Sequence, residues 1–498
     1  MANSSQLTLD PDAQLLLKLR EVLLDAGYCE AGLAPTINDE PMNLPDPSAE
    51  AGAEPPPLAT LIRLFFMSED CRVHDVTEAI RPLTLEQLIQ AGIIRREGGL
   101  VAATIRVQPY GRMLFLFKRV PPEVAPEEAL MFISASSLEV AHLMTRHPAR
   151  NALDIGTGCG FLATLVAPFC QQVSAIDVNP AAIRAAEFNA RWNNLNNISF
   201  HAGNLLEPVR GQRFDRIVCN PPFLITPVPE VFSARYVFKH SGLPGDAFCL
   251  KLAREASQLL EEGGYFHMIF QWEEPNGAPW SSNLEKSFSG LGCDVWVARI
   301  LTTTADEYAA EWVHSLSEIE QADSEILNQQ AQQYFRDKNV GSTSTGLLTL
   351  RRASHRPNYL WFDEAPDDRR EPYGENVATL FDVRARLMQI GDAGLLQEKL
   401  RVSPHLELLQ TSSLKEGEWV PSLSELLLKH GLKYSFGEVD QQLLELLPIF
   451  NGERTVKQVI GQLQMEEPLD NNLTKINLPK IRELLWYGFL VPAQPAEK

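Results

Sequence analysis

No uninterrupted apolar run in the 498-residue sequence approaches the roughly 18 residues that a membrane-crossing helix needs. No contact with a membrane is therefore expected. The N-terminal stretch "MANSSQLTLDPDAQ" has no basic segment leading into an apolar one, so it does not read as a secretory signal and a cytoplasmic location is expected. Cysteine is sparse: Cys29, Cys71, Cys159, Cys170, Cys219, Cys249 and Cys293 form no CxxC pair and accompany no histidine cluster. They read as reduced core residues, and no structural metal is expected. Basic residues are the scarcer charge, 44 Lys and Arg against 64 Asp and Glu, for a formal net charge of −20. Over the whole molecule that field opposes non-specific attraction to a polyanion, but a local patch can differ.

The charge is in fact uneven. Residues 1–60 carry two basic and ten acidic side chains, whereas residues 61–120 carry nine basic and six acidic. A hydrophobic content of 45% with 22% charged residues is that of a globular protein, and the length implies two to four domains.

Along the chain, "DAQLLLKLREVLLDAGY" has apolar residues at helical spacing and stops at Gly27, which predicts an amphipathic helix. A Pro-rich acidic stretch reads as a loop. Two or three helices then lead to a turn at Gly98 and Gly99 between "IIRRE" and "LVAATIRVQPY", a winged-helix-like pattern covering residues 1–127. From residue 128 to 355 strands and helices alternate, which predicts an α/β fold, a mostly parallel sheet wrapped by helices. Residues 356–372, "RPNYLWFDEAPDDRREP", read as a linker. Residues 373–498, with helices expected at "VPSLSELLLKH" and "GEVDQQLLELLPIF", read as a second winged-helix-like domain.

Three strand ends in the middle segment carry chemistry. "ALDIGTGCGFLATLVAPF" is a strand, a Gly-rich turn and a helix, in which Gly156, Gly158 and Gly160 allow a tight turn and the helix presents its N-terminal amides. The spacing is GxGxG led by Asp154, not the GxGxxG of dinucleotide binders. The next strand ends on Asp177, where a carboxylate can accept from both ribose hydroxyls or serve the helix opening at Asn179-Pro180. The third leads into "HAGNLLEP", where Asn204 and Leu205 would lie beside an adenine, or Asn204 would serve a turn. The fourth, "FDRIVCNPPF", stops on Asn220, Pro221, Pro222 and Phe223; Pro221 biases Asn220 toward extended geometry at the strand end.

DxGxGxG, the acidic strand end and NPPF, in that order over residues 128–355, resemble the class I S-adenosylmethionine-dependent methyltransferases, in the branch with an [N/D/S]PP[F/Y/W] motif. The resemblance implies a Rossmann-like seven-stranded core. It implies S-adenosyl-L-methionine as cofactor, held by Asp154, Gly156, Gly158, Gly160, Asp177, Asn204 and Leu205. It also implies an acceptor amino group gripped by Asn220 and the Pro221 carbonyl, with Pro222 and Phe223 on the substrate and Phe223 stacking on its π system. Many relatives have Asp where this chain has Asn204, whose amide oxygen can still accept.

A nitrogen conjugated to a ring or carbonyl is a poor nucleophile. Two acceptors favouring a more tetrahedral nitrogen strengthen as the transition state is approached, so no strong general base is required. Two substrate classes fit: an exocyclic amine of a nucleobase, in RNA ahead of DNA, or a glutamine side-chain amide of a protein, as in the release-factor methyltransferases. A binding protein that only retains the cofactor fold is a third reading, against which the intact motifs argue. A basic face of Arg95, Arg96, Arg106, Arg112, Lys118 and Arg119 would favour nucleic acid; dispersal or pairing with acids would favour glutamine. In "HSGLPGDAF", Gly242, Gly245 and Asp246 can shape a substrate entrance, or Asp246 can cap the helix that follows. In "ISASSLEVAHLM", Ser136 or Ser137 is expected to cap a helix over the cofactor.

Overall fold

The computed structural model describes residues 13–37, 55–118, 133–228, 243–317, 324–415, 417–437, 439, 441–466 and 478–493. The chain forms two compact units, Met1–Leu138 with Pro148–Pro244, and Glu139–His147 with Gly245–Lys498.

The first unit opens on α1 (Ala13–Asp25), where the predicted amphipathic pattern buries Leu16, Leu19, Val22 and Leu23, followed by α2 (Glu30–Ile37). Next come α3 (Pro57–Leu61), β1 (Cys71–Arg72), α4 (Val73–Ala79), α5 (Leu85–Gln90), β2 (Ile94–Glu97) and β3 (Leu100–Ala103). The three strands pair antiparallel in the order β1-β3-β2, and the Gly98–Gly99 turn joins the last two. Thr84 and Gln87 close a capping box at the start of α5. A hairpin of β4 (Ile105–Tyr110) and β5 (Met113–Lys118) follows. The predicted boundary at residues 127 and 128 lies outside the described residues.

The same unit continues through the start of α6 (Ala135–Leu143), whose residues from Glu139 on belong to the second unit, then β6 (Ala149–Ile155), α7 (Phe161–Val166), β7 (Cys170–Asp177), α8 (Pro180–Trp192), β8 (Ile198–Ala202) and β9 (Phe214–Cys219). β8, β7, β6 and β9 lie side by side in that order, all parallel. Consecutive buried residues in β6, β7 and β9, among them Leu153, Ile155, Val173, Ala175, Ile176, Ile217 and Val218, are those of strands covered on both faces. The N-terminal helices do not keep a core to themselves, because Trp192 of α8 packs in their cluster and its indole N–H donates to Leu16 O at 3.1 Å.

In the second unit, α9 (Ala247–Ser257) precedes β10 (Leu260–Pro275), β11 (Cys293–Thr304), β12 (Val340–Arg352) and β13 (Leu360–Glu364). β12 runs antiparallel between β10 and β11, and β13 joins the far side of β11 in parallel. The segment read as a linker thus contains a strand: "YLWFDE" carries enough apolar surface to pair, although its Pro- and Asp-rich flanks conceal it. β13 is one strand more than the seven expected.

Beyond it, the helix Gly374–Leu395 precedes a sheet of β14 (Lys399–Val402), Asn451–Thr455 and Leu490–Pro492. The helix expected at "VPSLSELLLKH" is instead the strand Glu418–Leu428, paired with Leu406–Lys415. Its Ser-Leu-Ser alternation and Pro421 suit a bulged ribbon, and pairing with the neighbouring strand overrides the helical preference of "SELLL". Both units place helices around parallel or mixed strands, and the fold is Rossmann-like α/β. Among the described residues no helix is long and apolar enough to cross a membrane.

Candidate active site

Register aligns the strand ends of the first unit. Ile155 of β6 pairs with Ile176 of β7 on one side and with Cys219 of β9 on the other, and Asp177 pairs with Ala202 of β8. The residues that follow, from Gly156, Asp177, Gly203 and Asn220, therefore emerge along one carboxyl edge, where open parallel sheets bind ligands.

The Gly-rich turn is built by its own backbone. Gly156 N and Thr157 N both donate to Ile176 O at 2.9 Å, and Gly156, Gly158 and Gly160 have φ of 70°, 55° and 82°. Those left-handed angles favour glycine. A Cβ at Gly156 or Gly158 would meet open space, whereas one at Gly160 would stand 2.9 Å from Ala186 of α8. The first two glycines leave room for a ligand, and the third lets two helices approach.

Asp154 is fully buried. Its Oδ2 accepts from Thr157 Oγ1 at 2.7 Å and from Ala163 N at 2.9 Å, tying strand, turn and helix together. Burial pushes its carboxyl up to about 7 against those two hydrogen bonds, with Asp177 adding to the rise. Asp177 Oδ1 accepts from Asn179 N at 2.8 Å and Oδ2 from Gly158 N at 2.9 Å. Each oxygen keeps a second lone pair, and burial raises this carboxyl too. The helix cap is a different residue, Asn179, which accepts from Ala181 N at 2.8 Å.

At the third strand end, Gly203 N donates to Asp177 O at 2.9 Å, and Leu205 takes φ of 47°. A leucine in the left-handed region is uncommon, and such conformations concentrate at functional sites. At the fourth, Asn220 Nδ2 donates to Ser136 Oγ at 3.1 Å and Ser137 Oγ at 2.9 Å. Asn220 Oδ1 is buried and has no partner among the described residues. Burial of an acceptor without a donor is costly.

Neither Ser136 nor Ser137 caps α6. Ser134 Oγ does so, accepting from Ser137 N at 3.2 Å, and this frees the next two hydroxyls for Asn220. The run of hydroxyls was visible in "ISASS", but helix capping explained it locally and hid the long-range contact. Asp246 stands at the N-terminal end of α9, yet its carboxylate accepts from Glu273 N at 3.2 Å and makes no side-chain cap. Gly242 lies outside the described residues.

Of the six basic side chains singled out, Arg95 pairs with Glu97 at 3.4 Å and Arg106 is half-buried over the Phe66 ring. Arg96 and Arg112 are exposed; the Lys118 side chain and Arg119 lie outside what is described. Among the described residues no group of three or more His, Cys, Asp or Glu side chains is arranged to hold a metal.

Residues 133–291 match the methyltransferase small domain family. Residues 43–104 match a domain of unknown function (DUF7059). The chain is 31% identical over 168 residues to a release factor glutamine methyltransferase of Xylella fastidiosa, covering 32% of this chain and 56% of that protein. It is 31% identical over 134 residues to a tRNA1(Val) (adenine(37)-N6)-methyltransferase of Actinobacillus succinogenes, covering 25% and 55%. The chain thus spans about half the length of these curated relatives. The match to the small-domain family contains all four strand ends described above.

Open space over two glycines and an acidic strand end with spare lone pairs fit S-adenosyl-L-methionine along the sheet edge on which Asn220 also lies.

Proposed function

We propose that this protein is an S-adenosyl-L-methionine-dependent N-methyltransferase acting on a planar amino group, foremost an exocyclic amine of a nucleobase in RNA. The observation that carries this reading is the orphaned Asn220 Oδ1 at the end of β9, one strand away from the Gly-rich turn that follows β6. The cofactor supplies an electrophilic methyl group on a sulfonium. Asp177 accepts from ribose hydroxyls, Asn204 and Leu205 border the adenine, and Gly156 and Gly158 leave the space. Asp154 holds the turn in shape from behind, through Thr157 and Ala163.

At the acceptor, Asn220 Oδ1 and the Pro221 carbonyl take hydrogen bonds from the amino group, drawing its lone pair out of conjugation and toward the methyl donor. Phe223 stacks on the conjugated plane, with Pro222 beside it. Those interactions strengthen as the nitrogen becomes tetrahedral, which is where they accelerate the reaction. The methylated nitrogen is acidic and releases its proton without a dedicated base.

A protein glutamine amide is the second reading, favoured by the pairing of Arg95 with Glu97 and the stacking of Arg106, which engage two of the six side chains of the expected basic face. The two separate in one experiment: incubation with radiolabelled S-adenosyl-L-methionine and a cell extract, followed by nuclease or protease. Label released by nuclease supports the nucleobase, label released only by protease supports glutamine, and no incorporation removes the enzymatic reading.

A further inference from the structure

Three hydroxyls and one amide form a closed cluster at the start of α6. Ser134 Oγ lies 2.8 Å from Ser136 Oγ and 3.0 Å from Ser137 Oγ, and each of the latter two receives one amide hydrogen of Asn220. An amide NH2 can only donate, so Ser136 and Ser137 accept from it, and each hydroxyl keeps a proton and a second lone pair for its contact with Ser134.

The alternative rotamer exchanges the amide ends. It would turn Oδ1 toward the hydroxyls and leave the Nδ2 group facing the site, an orphaned donor group in place of an orphaned acceptor. It would also present donors to an acceptor group that itself donates.

We infer that Ser136 and Ser137 are positioning residues that lock the Asn220 amide with its oxygen toward the substrate, so that the site admits N–H donors and rejects carbonyl oxygens at the same place. This rests on the proposed N-methyltransferase reading and narrows it. An amino-bearing base is accepted and its keto counterpart refused; equally, a carboxamide is accepted and the corresponding carboxylate refused. Discrimination of this kind is steep when the refused group leaves a buried polar atom unpaired.

The test has two independent arms on the full chain. In the first, the protein is labelled with 15N-asparagine, and the Asn220 side-chain NH2 signals are identified by their loss in Asn220→Asp. The wild type is expected to show those protons exchanging with water roughly tenfold or more slowly than exposed asparagine side chains, and Ser136→Ala/Ser137→Ala to abolish the protection. Absence of protection in the wild type, or its persistence in the double variant, overturns the inference whatever the activity.

In the second arm, transfer from radiolabelled S-adenosyl-L-methionine to the extract fraction labelled by the wild type is followed for the same variants. The double alanine variant should lose roughly 30-fold in kcat, about fivefold for each hydrogen bond, while its affinity for the cofactor stays within about twofold. Ser136→Thr/Ser137→Thr, which keeps both hydroxyls, should restore most of the rate. An unchanged kcat in the double alanine variant, or an equal loss of cofactor affinity, overturns the positioning role. A wild type that transfers nothing removes the enzymatic reading and leaves the exchange measurement to judge the hydrogen bonds.

Discussion

Asp177 accepts a hydrogen bond from the backbone N–H of Gly158 at 2.9 Å, which binds the acidic end of β7 to the middle of the Gly-rich turn following β6. Two motifs that lie 19 residues apart in sequence are therefore one physical object. The carboxylate that is proposed to receive the ribose also fixes the turn that makes room for the rest of the ligand.

Asp177→Ala should then do more than delete one contact. It removes the proposed ribose acceptor and the clamp on Gly158 together, so S-adenosyl-L-methionine affinity should fall by roughly a hundredfold, the worth of two charge-assisted hydrogen bonds at about 1.5 kcal/mol each. Isothermal titration measures it. An unchanged affinity would undo the assignment of Asp177.

Asn220→Ala separates the steps in the opposite way. The cofactor residues are untouched, so its affinity should persist, whereas transfer should fall by at least roughly a hundredfold, as when a donor or acceptor aimed at a transition state is removed. Full turnover in a radiolabel assay would withdraw the role of Asn220.

Asp154 gives a pH signature. Burial raises its carboxyl from the ordinary value of 3.8 to about 7 in the folded protein. Below the lower value both folded and unfolded chains hold the proton, and its favourable contribution is fully present. As pH rises toward 7 the unfolded chain ionises first, so that contribution declines, and it is lost once the folded carboxyl ionises as well. Asp154→Asn, which keeps an oxygen for Thr157 and Ala163 but does not ionise, should match the wild type near pH 4 and be the more stable of the two at pH 8. Melting temperatures of the cofactor-free proteins across that range check it. A difference independent of pH would mean that Asp154 does not titrate there.

The parts of this site that the sequence made legible are those written in consecutive residues. The turn angles of Gly156 and Gly158 follow from GxGxG, and the end of β9 at Cys219, just before Asn220, follows from the prolines after it. The Ser136 and Ser137 contacts to Asn220 span more than eighty residues, and nothing local distinguishes them from an ordinary helix cap. Gly160 adds a constraint that the motif alone does not name, since a Cβ there would stand 2.9 Å from Ala186 of α8. In the C-terminal part, the strand Glu418–Leu428 escaped detection for a related reason: its partner strand, not its own composition, decides its conformation.

Asn189 of α8 carries the last prediction. Its Oδ1 accepts from Leu116 N at 2.8 Å, and its Nδ2 donates to Cys159 O at 2.9 Å, so one fully buried amide joins the edge of the β4–β5 hairpin to the Gly-rich turn. Asn193, one helical turn on, accepts from Leu114 N at 3.0 Å and donates to Leu114 O at 2.8 Å, and the pair serves β5 as a neighbouring strand would. Asn189→Leu fills similar space but leaves the Leu116 N–H and the Cys159 carbonyl unpaired in the interior, a cost of about 2–4 kcal/mol. The melting temperature should fall by roughly 5–10 °C, and the Leu116 amide should lose its protection from hydrogen exchange. Because Cys159 belongs to the turn, S-adenosyl-L-methionine affinity should fall as well. Asn193→Leu, whose amide serves β5 and the Asn189 carbonyl at 2.9 Å but not Cys159, should lower stability and leave that affinity intact. Equal loss of affinity in both variants would mean that the hairpin, and not the Asn189 bond to Cys159, shapes the cofactor turn.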